Sequence, residues 1–341
     1  MRSKRHLIAP IRWVVLAFAA ILYGESGAQF PGPPVTIVQV DPHHERTLVA
    51  GTATALLFRS SDEGDTWSPV SFPGSLRSNL HAMLIDPAHA NVYLLGVSSE
   101  TPQYAGVFRT SDEGATWSQL PGMERKQVWA LASWQGDPQV VAAGAQDGVY
   151  LTRDGGENWK HLVSSHSAGP QPVVSLAFDP TDSNTLYAGT PHLAWKTVDG
   201  GATWIRLPRG MEADSDIFSI DVDARRRTRL MAGACSGLYS SLDGGANWSS
   251  LERAAGGSNR TYVVARVPHL PNVVFAGTSG GLIQSPDGGT TWHRRFAEAA
   301  RSIAFDPVDS RRIFVATDLG VLRSEDGGLH FLRTSQLLRK E

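Results

Sequence analysis

One eight-residue pattern, written seven times at near-even intervals, restricts what this chain can fold into more than any other feature. The copies are SSDEGDTW from Ser60, TSDEGATW from Thr110, TRDGGENW from Thr152, TVDGGATW from Thr197, SLDGGANW from Ser241, SPDGGTTW from Ser285 and SEDGGLHF from Ser324. Their aspartates, Asp62, Asp112, Asp154, Asp199, Asp243, Asp287 and Asp326, lie 50, 42, 45, 44, 44 and 39 residues apart, a mean of 44. That period suits one four-stranded blade of a propeller, a unit that cannot bury its own faces and must stack on its neighbours.

The flanking residues supply the strands. An apolar run closed by Asp-Pro, as in Val174 to Pro180 or Ser302 to Pro307, reads as the first strand and its turn. A second run ends near Ala-Gly-Thr, at Leu186 to Thr190 or Val274 to Thr278, and a third leads into the motif, at Gly148 to Leu151. The motif then turns the chain, because Asp accepts hydrogen bonds from backbone N–H groups just beyond it and Gly supplies a positive φ. The aromatic residue leaving each turn, Trp67, Trp117, Trp159, Trp204, Trp248, Trp292 or Phe331, opens the fourth strand and fills the gap to a neighbour. The expected fold is all-β, a seven-bladed β-propeller of four-stranded antiparallel blades, filling residues 35–334 with no second domain.

These motifs resemble the BNR or Asp-box repeats (S/T-x-D-x-G-x-T/S-W) of sialidases, xyloglucanases, sortilin-type receptors and photosystem II assembly factors, across essentially the whole chain after its leader. The resemblance implies that the boxes sit on the turns between third and fourth strands, away from any ligand, with a structural role. Glu63 and Glu113 replace the first Gly of the pair and Phe331 replaces Trp, departures expected to loosen blades 1, 2 and 7.

Residues 1–28 read as a targeting segment: Arg2, Lys4, Arg5 and Arg12 precede an eleven-residue apolar run, Trp13 to Tyr23, and Ser26-Gly27-Ala28 offers a cleavage site. The run falls short of the ~20 residues that cross a bilayer, so the expectation is a secreted or periplasmic protein with residues 29–341 as one propeller and no membrane span after cleavage. Losing four basic residues and Glu25 from totals of 31 and 33 leaves 27 against 32, about −5, which gives no general attraction to nucleic acid. The run Arg225-Arg226-Arg227 with Arg229 therefore reads as a solvated turn. Cys235, the sole cysteine, reads as a small buried residue, and Asn247 and Asn259 head glycosylation sequons. No metal or cofactor motif is present, and a monomer is expected.

If the boxes occupy one face, the loops entering first strands and joining second to third strands line the other, where a site belongs. Counting along the first strands puts Thr36, His81, Trp129, Val174, Phe218, Val263 and Arg301 at one level near the channel, and the second-to-third loops add Tyr104, Gln146, Asp147, His192 and Asp318. The blander alternative has Trp129 and Phe218 plugging the channel, His81 and His192 solvated, and Arg301 paired with a carboxylate. Trp195 aligns with Phe58, Phe108, Tyr150 and Tyr239 as a core aromatic.

A glycosidase or carbohydrate-binding role follows from part of the resemblance, but hydrolysis needs two carboxyl groups about 5 to 9.5 Å apart or a tyrosine nucleophile. No sialidase-like Arg-Ile-Pro motif opens blade 1, the tandem cleft of xyloglucanases needs two propellers, and Asp147 and Asp318 belong to distant blades 3 and 7. The single-propeller layout looks most like the assembly factors and implies a non-catalytic scaffold for a protein or peptide partner.

Overall fold

Short apolar runs punctuated by Gly-closed turns fold the chain into seven antiparallel sheets, each of four strands in sequence order. The computed structural model describes residues 34–335 and 337, apart from 45, 75–76, 164–168, 212–215 and 252–258; the leader expected over residues 1–28 lies outside them. The innermost strands are Val35–Val40, Ser78–Ile85, Val128–Trp134, Ser175–Asp179, Ile217–Val222, Thr261–Val267 and Ala300–Phe305. Each packs on the next and the seventh packs on the first, so the molecule is a seven-bladed all-β propeller.

Blade-to-blade packing is set by the second strands, which are buried along their length in Leu48–Thr52, Leu230–Ala234 and Ile313–Thr317. Six of the seven carry Gly where the following inner strand comes closest. A Cβ on Gly233 would lie 2.8 Å from the Thr261 carbonyl oxygen, and one on Gly277 2.7 Å from that of Ala300. Only at the seventh blade, where the ring closes, does Ala316 stand instead. The third-strand aromatics Phe58, Phe108, Tyr150, Trp195 and Tyr239 are all buried, as their register predicts.

All seven motifs form the turn between third and fourth strands, and one hydrogen-bond pattern recurs. In blade 4 the buried Thr197 hydroxyl donates to Asp199 Oδ1 (2.8 Å) and accepts from the Gly201 N–H (2.9 Å). Asp199 then accepts from the Thr203 N–H (2.9 Å) and hydroxyl (2.6 Å). In blade 7 the His330 ring nitrogen takes the hydroxyl's place, 2.7 Å from Asp326. These bonds favour the ionised carboxylate: side-chain and backbone donors from Thr116, Thr203 and their equivalents push Asp112, Asp154, Asp199 and Asp287 down to about 2.

The residue ending one blade's outer strand seats against the second Gly of the next clasp: Val70 on Gly114, Leu120 on Gly156, Leu162 on Gly201, Leu207 on Gly245. Thr334 does the same to Gly64 across the closing seam, and Ser335 donates its N–H and hydroxyl to the Gly64 carbonyl (3.0 and 3.1 Å). Among the described residues no strand is exchanged between the ends, and Thr334 and Ser335 tie blade 7 to the first clasp.

The departures from the motif make contacts between blades. Glu63 and Glu113 adopt φ of 61° and 58°, the conformation of the glycines they replace. That costs about 1 kcal/mol or more for a side chain. In return the Glu63 carboxylate meets Arg312 (3.1 Å) and Arg323 (3.5 Å) of blade 7, and Glu113 pairs with Arg59 of blade 1. Phe331 packs edge-on to Phe296, ring centroids 5.2 Å apart.

Candidate functional site

Every inner strand but one carries an extra residue at the same level, just after it enters from the face opposite the clasps. The pairing skips Thr36, His81, Trp129, Phe218, Tyr262 and Arg301, so each is a β-bulge. In blade 4 Val174 holds that level immediately ahead of its strand, its N–H on the Gly189 carbonyl (2.9 Å). A bulge re-aims one side chain without disturbing the ladder. Seven blades thus present seven chemically different groups around the mouth of the channel.

Sequence counting places six of these seven correctly and misses one. It assigns blade 6 to Val263, but Val263 pairs with Gly277 in the regular ladder, and the residue left out is Tyr262. The inner strand of blade 6 ends in Val267-Pro268 instead of Asp-Pro, which removes the landmark. Counting five residues back from the one before the proline finds Tyr262.

The blade 5 to 7 side of the mouth is a continuous stack. Phe218 lies 6.2 Å from Tyr262 between ring centroids, Arg301 covers Tyr262 at 4.2 Å, and Arg260 covers Phe218 at 5.4 Å. Arg301 is also clamped by Asp318, Nε to Oδ1 at 2.8 Å and Nη2 to Oδ2 at 3.2 Å, which raises its pKa. Arg260, which the sequence does not single out, is exposed. Trp129 is half-buried, and His81 bonds the Ser98 hydroxyl at 2.7 Å. His81 is partly open to solvent, yet the protein packed around it removes enough solvation to push its pKa down to about 4.

The loop residues divide. Tyr104 sits on a single 3-10 turn, Pro102–Tyr104, and Gln146 and His192 are exposed. Asp147 is engaged: Lys126 Nζ (2.7 Å) and the Tyr150 hydroxyl (2.8 Å) both donate to Oδ2, while His161 stacks on Tyr150 at 4.4 Å. Partial burial would raise the Asp147 pKa, but these bonds outweigh it and hold the group ionised. Burial raises the Tyr150 pKa, the opposite of what a tyrosine nucleophile requires. Asp147 and Asp318 are therefore each tied to a cation on their own side of the ring. No His, Cys, Asp and Glu cluster able to hold a metal occurs among the described residues.

Two cavities open on the clasp face, flanking the arginine-rich turn of blade 5. One of about 310 Å³ is lined by Asp221, Arg225, Arg266 and His269, the other of about 720 Å³ by Arg226, Thr228, Arg229, Leu242, Asn272, Pro286 and Asp287. The turn is exposed from Arg225 to Thr228, as its sequence implies, but its arginines also reach neighbouring blades. Arg225 donates to the His269 carbonyl (3.4 Å), Arg227 to the Thr181 hydroxyl (3.0 Å), and half-buried Arg229 to the Gly288 carbonyl. Nor is Cys235 buried; it is half-exposed.

Fold and mouth together define the class: a seven-bladed propeller whose variable groups ring one end of its axis. No family model and no curated protein sequence matches the chain. Among solved structures it is similar to an ancestral GH74 enzyme, at TM-score 0.71 and 19% identity over 88% of this chain but 46% of the other. It is also similar to YCF48 bound to D1 peptide, at TM-score 0.64 and 19% identity over 86% and 92%. A third neighbour is the extracellular domain of a hybrid two-component system from B. thetaiotaomicron, at TM-score 0.67 and 15% identity over 86% and 38%. The chain spans about half the length of the GH74 enzyme, and at these identities the likeness is one of fold. Among the described residues, no helix is long and apolar enough to cross a membrane.

Proposed function

We propose that this protein is an exported, monomeric, non-catalytic scaffold that grips a protein or peptide partner at the mouth of its channel. The observation that carries the reading is the bulge repeated at one level of the ring, which turns seven equivalent positions into Thr36, His81, Trp129, Val174, Phe218, Tyr262 and Arg301. Aromatic faces with a stacked guanidinium suit an extended peptide, whose side chains they contact at small entropic cost. Whole-length similarity to a propeller solved with a peptide supports this reading. Ion pairing of both Asp147 and Asp318 weighs against the alternative, a glycoside hydrolase, which needs one free acid and one free base or nucleophile.

Photo-crosslinking tests it. A benzophenone amino acid at Phe218 or Trp129 should capture a defined partner from the exported fraction, and the same group at Val308, exposed on the far face, should not. Equal capture at both positions, or release of sugar from a chromogenic glycoside that Asp147→Asn abolishes, contradicts the scaffold reading.

A further inference from the structure

We propose that the larger cavity on the clasp face, between the arginine turn of blade 5 and the clasp of blade 6, binds the phosphate or sulfate ester of a sugar-sized ligand. This is a second site, independent of the channel mouth.

The lining dictates the class. Arg226, Arg229, the Thr228 hydroxyl and the Asn272 amide bring donors to one space of about 720 Å³, a volume in the range of small-molecule sites. Its one carboxylate, Asp287, is already committed to its own turn, accepting from Ser285 (2.8 Å), from the Thr290 and Thr291 N–H groups (3.0 and 2.8 Å) and from the Thr291 hydroxyl (2.7 Å). Against that single carboxylate the lining sets two guanidinium groups, an excess of positive charge. Arg226 lines this space and is exposed, and its side chain makes no hydrogen bond or ion pair among the described residues. Arg229 anchors the opposite wall through Gly288. Burial, and then the neighbouring charge of Arg266, hold Arg229 below the usual guanidinium range against the opposing pull of Asp223 and Asp287. Planar guanidinium forks match the oxygens of phosphate and sulfate.

The rest of the lining asks for more than a bare ion. Leu242, 73% exposed, and Pro286 give the cavity apolar walls that an inorganic anion leaves uncovered and a sugar ring covers. The cavity arises where blade 5 makes a long turn, with the Asp223 N–H on the Arg229 carbonyl (3.0 Å), beside blade 6, whose first two strands join in a tight hairpin at Val267 and Leu270. Of the four blades with that long turn, blade 5 carries three successive arginines, Arg225 to Arg227, whereas the two in blade 7, Arg311 and Arg312, are paired with Asp309, Asp306 and Glu63.

Isothermal titration of the whole protein with glucose 6-phosphate, a sulfated disaccharide, the matching neutral sugars and inorganic phosphate tests the proposal at constant ionic strength. The expected result is binding of at least one ester, weakened tenfold or more by Arg226→Gln and by Asn272→Ala, unchanged by Arg294→Gln on the exposed outer strand of blade 6, and absent for the neutral sugars. The response to phosphate against sulfate esters then tells which oxyanion is preferred. Neutral sugars binding as well as their esters, inorganic phosphate binding as tightly as any ester, or Arg226→Gln leaving affinity intact in a folded protein would each overturn it.

Discussion

The two ends of this propeller are built on opposite rules. At the clasps, seven turns repeat one set of bonds so closely that His330 replaces a threonine hydroxyl without altering the geometry at Asp326. At the channel mouth, seven equivalent backbone positions carry seven different side chains. Repetition is what a ring needs to close, because every blade must present the same edges to its neighbour. Variation at one level has no such use, so the groups there are free to recognise something outside the fold.

Substitutions should separate the two regions. The largest effect is expected at the blade interfaces: Gly277→Val drives a side chain into the Ala300 carbonyl and should cost about 3 kcal/mol or block folding, read by chemical denaturation. Next comes a clasp. Thr197→Val keeps the volume but strands the buried Gly201 N–H, for a loss of about 1–3 kcal/mol. Third is the seam. Removing Thr334 to Glu341 should lower the thermal midpoint, and Glu63→Gln should lower it by less, in a way that high salt erases in the parent. The smallest effect should come from the mouth, where Trp129→Ala and Phe218→Ala shift stability by under about 1 kcal/mol.

Acid sharpens the contrast. The clasp carboxyls at Asp112, Asp154, Asp199 and Asp287 are depressed on folding, from an ordinary 3.8 to about 2. Their stabilisation is therefore complete above pH ~4 and lost as pH falls through about 2. Tryptophan fluorescence should show clasp-linked unfolding only in that window, and Asp199→Asn should flatten the loss. His81, also depressed on folding, begins to oppose folding earlier, as pH drops below its unfolded value near 6.5 toward 4. A channel-mouth titration with its midpoint near pH 4 by NMR, without unfolding, is the expected sign of it.

The architecture was legible because it is local: Asp, Gly and an aromatic at fixed offsets write the same turn wherever they occur. The bulge ring was nearly legible, through the distance from inner-strand landmarks, and failed at Tyr262 where proline stands without its Asp. The roles of Glu63 and Glu113 were not, since the partners that make a strained glutamate worthwhile come from other blades, Arg312 lying 249 residues from Glu63. Arg260, Lys126 and the arginine-lined cavity were hidden for the same reason. They matter through neighbours that only ring closure supplies.

Stability and recognition should dissociate between the two ends of the ring. Thermal midpoint and partner affinity, measured together on Thr197→Val and on the Trp129→Ala, Phe218→Ala double variant, decide it. The clasp variant should melt earlier yet bind normally while folded, and the mouth variant should melt like the parent and fail to bind. A clasp variant that loses the partner while still folded, or a mouth variant that keeps it, would contradict the division of labour.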